Sequence, residues 1–341
     1  MLDDLKLIHE RDAQDALGVA EKQWQQLQHT YDAQLEPREF KNIVFAGMGG
    51  SALSALIAQS WPSFRLPFEV VRQYNLPQYV GSETLVFASS YSGNTEETLT
   101  ALGQAEAKGA FIVVIASGGQ LADVAHAKNY PLLLLPGGLQ PRHAAFYSLK
   151  AIVTTTDKLG ITSGAAEELA AKADFVQQAV SQWAPTVPTA QNQAKQIAQE
   201  CIGKSVVVYG GPLLFPAAYK WKISFNENAK QIAWTNQLPE FNHNEFLGWT
   251  KQPVDKPYTV IDLRSNLEHS RVQKRFEVSE RLLSGMRPAP IVVQALGEGL
   301  LEQLLWTIAL GDFVSLYTAL LSGLNPSPVE LIEKFKELLD Q

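Results

Sequence analysis

Two glycine-punctuated stretches carry the residue types from which an anion site is built. In "FAGMGGSALSALIAQ", residues 45–59, Gly47, Gly49 and Gly50 stand between an apolar run and an amphipathic one, with Ser51 next in line. Such a turn lets the backbone approach a ligand with no Cβ in the way, and the helix it opens presents free N–H groups and a partial positive charge. In "LVFASSYSGNTEETLTAL" a second apolar run leads to hydroxyls at Ser89, Ser90, Ser92 and Thr95 around Gly93, again ahead of a helical pattern. Thr95 with Glu97 and Thr98 also fits a simple helix cap, but capping employs one hydroxyl, not four. A compact phosphate held by Ser51, Ser90, Ser92 and Thr95 uses the set, each charge-assisted hydrogen bond contributing about 1.5–3 kcal/mol.

Other readings stay open at this point. A G-x-G-G turn at a strand end is also a dinucleotide turn or a plain tight turn, and Glu69 stands about 20 residues beyond the glycines, where a dinucleotide site wants an acid. The "SSYSGNT" turn has no role in that scheme. No lysine follows either glycine turn, so the Walker pattern for nucleoside triphosphates is missing.

Four further side chains have proton-transfer or charge-stabilising chemistry. Glu227 lies in "WKISFNENAK", where residue type alone favours a solvated glutamate paired with Lys222 or Lys230. His243 lies in "PEFNHNEF" after a proline turn, with Asn242 placed to cap a short helix. Arg142 opens a helix in "PGGLQPRHAAFYS", and Lys336 sits in the terminal "KFKELLD", two residues from Lys334. Neither H-E-x-x-H nor a paired-histidine spacing occurs, and His243 with Glu245 is too thin a pair, so no metal is expected.

These residues need elements to hold them. Short β-branched runs alternate with amphipathic stretches, a pattern for parallel strands joined by helices. The strands expected are "NIVFAG", "FEVVR", "TLVFAS", "FIVVIA" and "PLLLLP", then "SVVVYG", "QIAWTN", "YTVIDLR" and "PIVVQ". "NIVFAGMGGSALSALIA" and "SVVVYGGPLLFPAAYKW" each run strand, glycine turn, helix, an internal echo of low identity. The prolines of "SQWAPTVPTA" mark a linker. The division expected is an N-terminal helix over 1–30, a first domain over 31–184, a second over 185–323 and a C-terminal helix over 324–341.

With 341 residues and 46% hydrophobic content, the chain has material for two cores. The formal charge of −7, with Lys and Arg scattered, offers no basic face to nucleic acid. Cys201 is the lone cysteine, which excludes a disulfide framework and a thiolate zinc site. The opening "MLDDLKLIHE" lacks the basic-then-apolar order of a secretory signal, and Glu302, Gln303 and Asp312 interrupt the apolar "LLEQLLWTIALGDFVSLYTALL". A cytoplasmic protein with no membrane partner is the expectation.

"GMGGSA" followed by "SSYSGNTEETL" resembles the sugar-isomerase (SIS) domain family, specifically the bifunctional phosphoglucose/phosphomannose isomerases of archaea and bacteria. The resemblance extends through "PRHAAFYS", "WKISFNENAK", "FNHNEF" and "NPSPVELIEKFKELL", nearly the whole chain. It implies two flavodoxin-like α/β domains with parallel sheets plus a C-terminal helix, and a phosphate on Gly50, Ser51, Ser90, Ser92 and Thr95. It implies that Glu227 is the proton-transfer base and that His243 assists ring opening from the neighbouring subunit of a homodimer. It further implies that Arg142 stabilises an enediolate and that Lys336 reaches the sugar ring. His143 departs from the small residue expected after that arginine. The activity implied is cofactor-free and metal-free interconversion of glucose 6-phosphate, and mannose 6-phosphate, with fructose 6-phosphate. Another SIS isomerase acting on an amino sugar or pentose phosphate, and a non-catalytic sugar-phosphate sensor, are the alternatives.

Overall fold

Side chains branched at Cβ keep their rotamers on a pleated surface, and a parallel strand covered on both faces reads as a continuous apolar run. In the computed structural model, which describes residues 1–251 and 257–339, the apolar runs form strands. Two helices lead, α1 (Leu5–Arg11) and α2 (Ala16–Glu21). The first alternation is β1 (Asn42–Gly47), α3 (Gly49–Ser60), β2 (Phe68–Val71), β3 (Thr84–Ser89), α4 (Glu96–Ala107), β4 (Phe111–Ala116), α5 (Gly119–Lys128) and β5 (Leu132–Leu134). Helices α6 (Ala145–Lys158), α7 (Ala165–Ala170), α8 (Ala173–Ser181) and α9 (Gln193–Cys201) lead to the second. It runs β6 (Ser205–Gly210), α10 (Phe215–Asn228), β7 (Ala233–Gln237), α11 (Glu245–Gly248), β8 (Tyr258–Arg264), α12 (Ser270–Leu282) and β9 (Ile291–Gln294). Helices α13 (Leu300–Leu321) and α14 (Glu330–Leu339) follow.

The strands form two parallel sheets, ordered β2-β1-β3-β4-β5 and β7-β6-β8-β9. In the first, Gly47 at the end of β1 lies level with Ser89 at the end of β3, so the glycine turn and the hydroxyl turn leave the sheet side by side. That is the switch point, where loops from carboxyl ends gather around a ligand. The interior of this sheet is sealed by Val44, Val86, Ala88, Ile112 and Val114 against Ala101, Leu102 and Leu121 of the helices.

The chain divides into a first unit, Lys22–Phe175, and a second unit made of Met1–Glu21 with Val176–Gln341. The division lies upstream of the proline linker near Pro185, and aromatic packing explains the difference. Trp183 stands 5.4 Å from Trp306 and 5.9 Å from Phe313, and the Tyr317 hydroxyl donates to the Trp183 carbonyl at 2.6 Å. Helices α1 and α2 also pack with the second unit, where Arg11 donates to the Leu320 carbonyl. Helix α13 is long and apolar enough to cross a membrane, yet 94% of its most apolar window is buried within the fold.

Candidate active site

In the first unit, α3 begins directly after β1. Gly49 has a φ of +47°, a conformation that suits glycine, and the space a Cβ would occupy there is open. At Gly50 an added Cβ would stand 2.8 Å from the Arg142 amide nitrogen, so glycine is needed for the helix start to press against the short 3₁₀ turn Pro141–His143. This contact sets Arg142 beside the glycine turn. Arg142 is fully buried, and its Nη1 donates to Gln140 Oε1 at 3.3 Å.

The hydroxyls converge. Ser90 Oγ lies 2.7 Å from Thr95 Oγ1 and 3.4 Å from Ser92 Oγ, and accepts from the Gly93 amide at 3.1 Å. Thr95 occupies the N-cap position of α4 but makes no capping hydrogen bond, its hydroxyl being turned to Ser90 instead. Ser51 Oγ accepts from the Tyr91 amide at 3.0 Å, which couples the two turns. Ser89 stands apart: it closes β3, and its buried hydroxyl has no partner among the described residues. Sequence reasoning missed Tyr91. Its hydroxyl donates to the Pro136 carbonyl at 2.8 Å and accepts from the Leu139 amide at 2.9 Å, tying down the loop that leads to Arg142. Burial pushes the Tyr91 phenol up from its ordinary value.

In the second unit, Glu227 occupies the last turn of α10, half-buried, on a cleft of about 910 Å³ lined also by Lys222, Lys230, Trp234, Val329 and Leu331. Helix α10 is held by a buried ion pair that sequence reasoning also missed. Lys220 donates to Asp312 of α13 and to Ser224 Oγ at 2.8 Å, and Ser224 Oγ lies 3.0 Å from Asp312 Oδ1. The available signal was Asp312 itself, since a carboxylate inside an apolar helix calls for a buried partner.

His243 ends the 3₁₀ turn Glu240–His243 and is exposed. The turn is braced: Phe241 is buried 4.6 Å from the Tyr209 ring, and Asn242 donates to Ser279 Oγ at 2.8 Å. The capping asparagine is therefore Asn244, whose Oδ1 accepts from the Glu245 amide, and not Asn242. Glu245 faces the Tyr209 hydroxyl and Asn236, and among the described residues no cluster of ligand types suits a metal. His243 does not line the Glu227 cleft, and Lys336 and Lys334 lie exposed on α14 outside it.

Residues 190–339 match the bacterial phospho-glucose isomerase C-terminal SIS domain. Over 303 residues the chain is 33% identical to a bifunctional phosphoglucose/phosphomannose isomerase of Aquifex aeolicus, covering 88% of this chain and 91% of that one. The chain belongs to the bifunctional phosphoglucose/phosphomannose isomerase family. A second family member, from Caldicellulosiruptor bescii, is 32% identical and covers 92% of this chain and 96% of its own. A similar fold is seen in the crystal structure of a glucose-6-phosphate isomerase-like protein from Thermus thermophilus. Its TM-score is 0.66 at 18% identity, covering 97% of this chain and 99% of that one.

Proposed function

We propose that this chain interconverts glucose 6-phosphate, and mannose 6-phosphate, with fructose 6-phosphate through an enediolate. The observation that carries the reading is the hydroxyl cluster, above all Thr95 leaving α4 uncapped to face Ser90. A hydroxyl set gathered at a helix start without capping it is suited to donate to phosphate oxygens, together with the amides around Gly50 and Ser51.

The remaining roles follow from the chemistry. His243 of the partner subunit in a homodimer gives a proton to the ring oxygen as its bond to C1 breaks and the C1 hydroxyl loses its proton to water, leaving the open-chain aldehyde. Glu227 removes the proton at C2, the C–H electrons form the C1–C2 double bond while the C1 carbonyl pair moves onto O1, and, as the O2 proton passes to O1, the same carboxyl returns the proton to C1 and the ketose forms. The guanidinium of Arg142, permanently charged, stabilises the oxyanion of the enediolate. Glucose and mannose differ only at C2, and that carbon is planar in the enediolate, so one intermediate serves both. Lys336, which matches the family's C-terminal lysine, contacts the sugar ring. The compartment proposed is the cytoplasm.

The test is fructose 6-phosphate formation from each aldose, with EDTA present, for the wild type and for Glu227→Gln. The wild type turns over both sugars unaffected by chelator, while the variant keeps its circular dichroism and loses about 10²–10⁴-fold in kcat. Unchanged turnover in the variant rejects the base. Turnover of glucosamine 6-phosphate alone favours an amino-sugar enzyme, and binding of fructose 6-phosphate without turnover favours a sensor.

A further inference from the structure

Helix α10 closes in a way that its own sequence does not favour. Ala229 caps it, and the next residue, Lys230, has a φ of +51°. A helix that ends through the left-handed region ordinarily does so on glycine or asparagine, because other side chains are strained there. A lysine at this position costs the turn stability, and what the position gains is an ammonium.

That ammonium joins two segments. It donates to the Asn228 carbonyl at 3.3 Å, to the Asn325 carbonyl at 3.0 Å and to the Pro326 carbonyl at 2.9 Å. Asn228 belongs to the last turn of α10, and a lysine near a helix C-terminus commonly meets such a carbonyl. Asn325 and Pro326 lie 95 and 96 residues further along, in the loop from α13 to α14. Capping α10 accounts for the first carbonyl and not for these two.

The loop leads into the second wall of the Glu227 cleft. One wall comes from residues between 222 and 234, the other from Asn325 and residues 328–332 around the start of α14. Helix α14 buries none of its 10 residues, and a helix of that length is marginal in water on its own. Its place is therefore set by the loop before it and not by packing of its own. Lys230 ties that loop to the end of α10, three residues beyond Glu227.

We propose that Lys230 is a positioning residue for the isomerase site, its ammonium latching the α13–α14 loop to α10 so that the wall at 328–332 stands beside Glu227. The inference rests on the reading of Glu227 as the base of this cleft. With its donors turned to carbonyls, Lys230 acts through the loop. Glu227 is held separately, because α10 is pinned to α13 through Trp221 and Lys220. Losing the latch removes contacts that substrate and transition state share, and leaves the base in place.

The test compares full-length Lys230→Gly, Lys230→Asn and Lys230→Arg with the wild type, with circular dichroism checking each fold. Glycine and asparagine suit the left-handed turn and cannot reach the loop, whereas arginine keeps the cation and its donors. In the Gly and Asn variants, amide hydrogen exchange over residues 324–339 quickens about 10-fold. Their KM for fructose 6-phosphate rises about 10-fold with kcat within about twofold of wild type, the mark of lost uniform binding. The Arg variant returns both readouts to within about threefold of wild type. A lysine that merely stabilised the fold would change the folded fraction, and with it the apparent kcat, but not KM. Folded Gly and Asn variants with wild-type exchange or wild-type KM, or an Arg variant that behaves as they do, overturn the proposal. Glu227→Gln is run alongside: full turnover in it rejects the base, and the exchange and KM of the Lys230 variants still decide the latch.

Discussion

Ser90 is the hub of the proposed phosphate turns, because one hydroxyl meets Thr95, Ser92 and the Gly93 amide together. Removing it would take away one of the donors proposed for the phosphate and leave the Thr95 hydroxyl without its Ser90 contact, while Arg142 and Glu227 stay in place. Ser90→Ala is expected to raise the Kd for fructose 6-phosphate about 10- to 100-fold, the equivalent of one charge-assisted bond of about 1.5–3 kcal/mol. Steady-state kinetics should show the change mainly in KM, and an unaltered KM would remove Ser90 from the site. The cluster was legible because four hydroxyls crowd a turn that needs one. Tyr91 was not, since its bonds to Ser51 and Leu139 span 40 and 48 residues and leave no local pattern.

At the scale of elements, the position of Glu227 is the position of α10, and α10 is packed against α13. Trp221 donates from its indole to the Thr307 carbonyl at 2.7 Å, and Gly311 lies against that indole with no room for a Cβ. Beside this contact Lys220 and Asp312 are both buried, at 1% and 3% exposure. Burying two charges has a desolvation cost near the attraction gained, so the pair adds little net stability, but removing one partner strands the other. Asp312→Ala should therefore lower the unfolding free energy by about 3–5 kcal/mol, and a Lys220→Met/Asp312→Leu pair should recover most of the loss. Urea midpoints measure both, and equal losses in the single and paired variants would refute the stranded-charge account. The strands themselves were legible: "NIVFAG", "TLVFAS", "FIVVIA", "SVVVYG" and "YTVIDLR" coincide with β1, β3, β4, β6 and β8, because doubly covered strands are apolar throughout. The edge strands β2, β5, β7 and β9 came out shorter or shifted, since a half-exposed strand ends where pairing ends and not where hydrophobicity does. What α13 packs against was not legible, for Lys220 lies 92 residues from Asp312.

For the whole molecule, the second unit is assembled from both ends of its sequence. The Lys195 ammonium, wholly buried, donates to Asp3 at 3.1 Å and to the carbonyls of Pro185 and Val187 at 2.8 Å each, stitching the N-terminus to the proline segment. The same unit carries both Glu227 and His243, yet His243 projects from its braced turn outside the Glu227 cleft. The proposed ring-opening acid, placed there, would serve a second copy of the chain better than its own, and a two-fold dimer would supply that copy, each subunit giving the other what it receives. Mixing Glu227→Gln and His243→Ala subunits separates the two arrangements. In a shared site, the heterodimer joins an intact glutamate from one subunit to an intact histidine from the other, and its second site carries both defects. Random reassociation of equal amounts then restores about a quarter of wild-type activity, since half the dimers are mixed and each has one working site. If glutamate and histidine act within one chain, every site in the mixture keeps a defect, and activity stays at the level of the separate variants even where native mass spectrometry shows that heterodimers have formed.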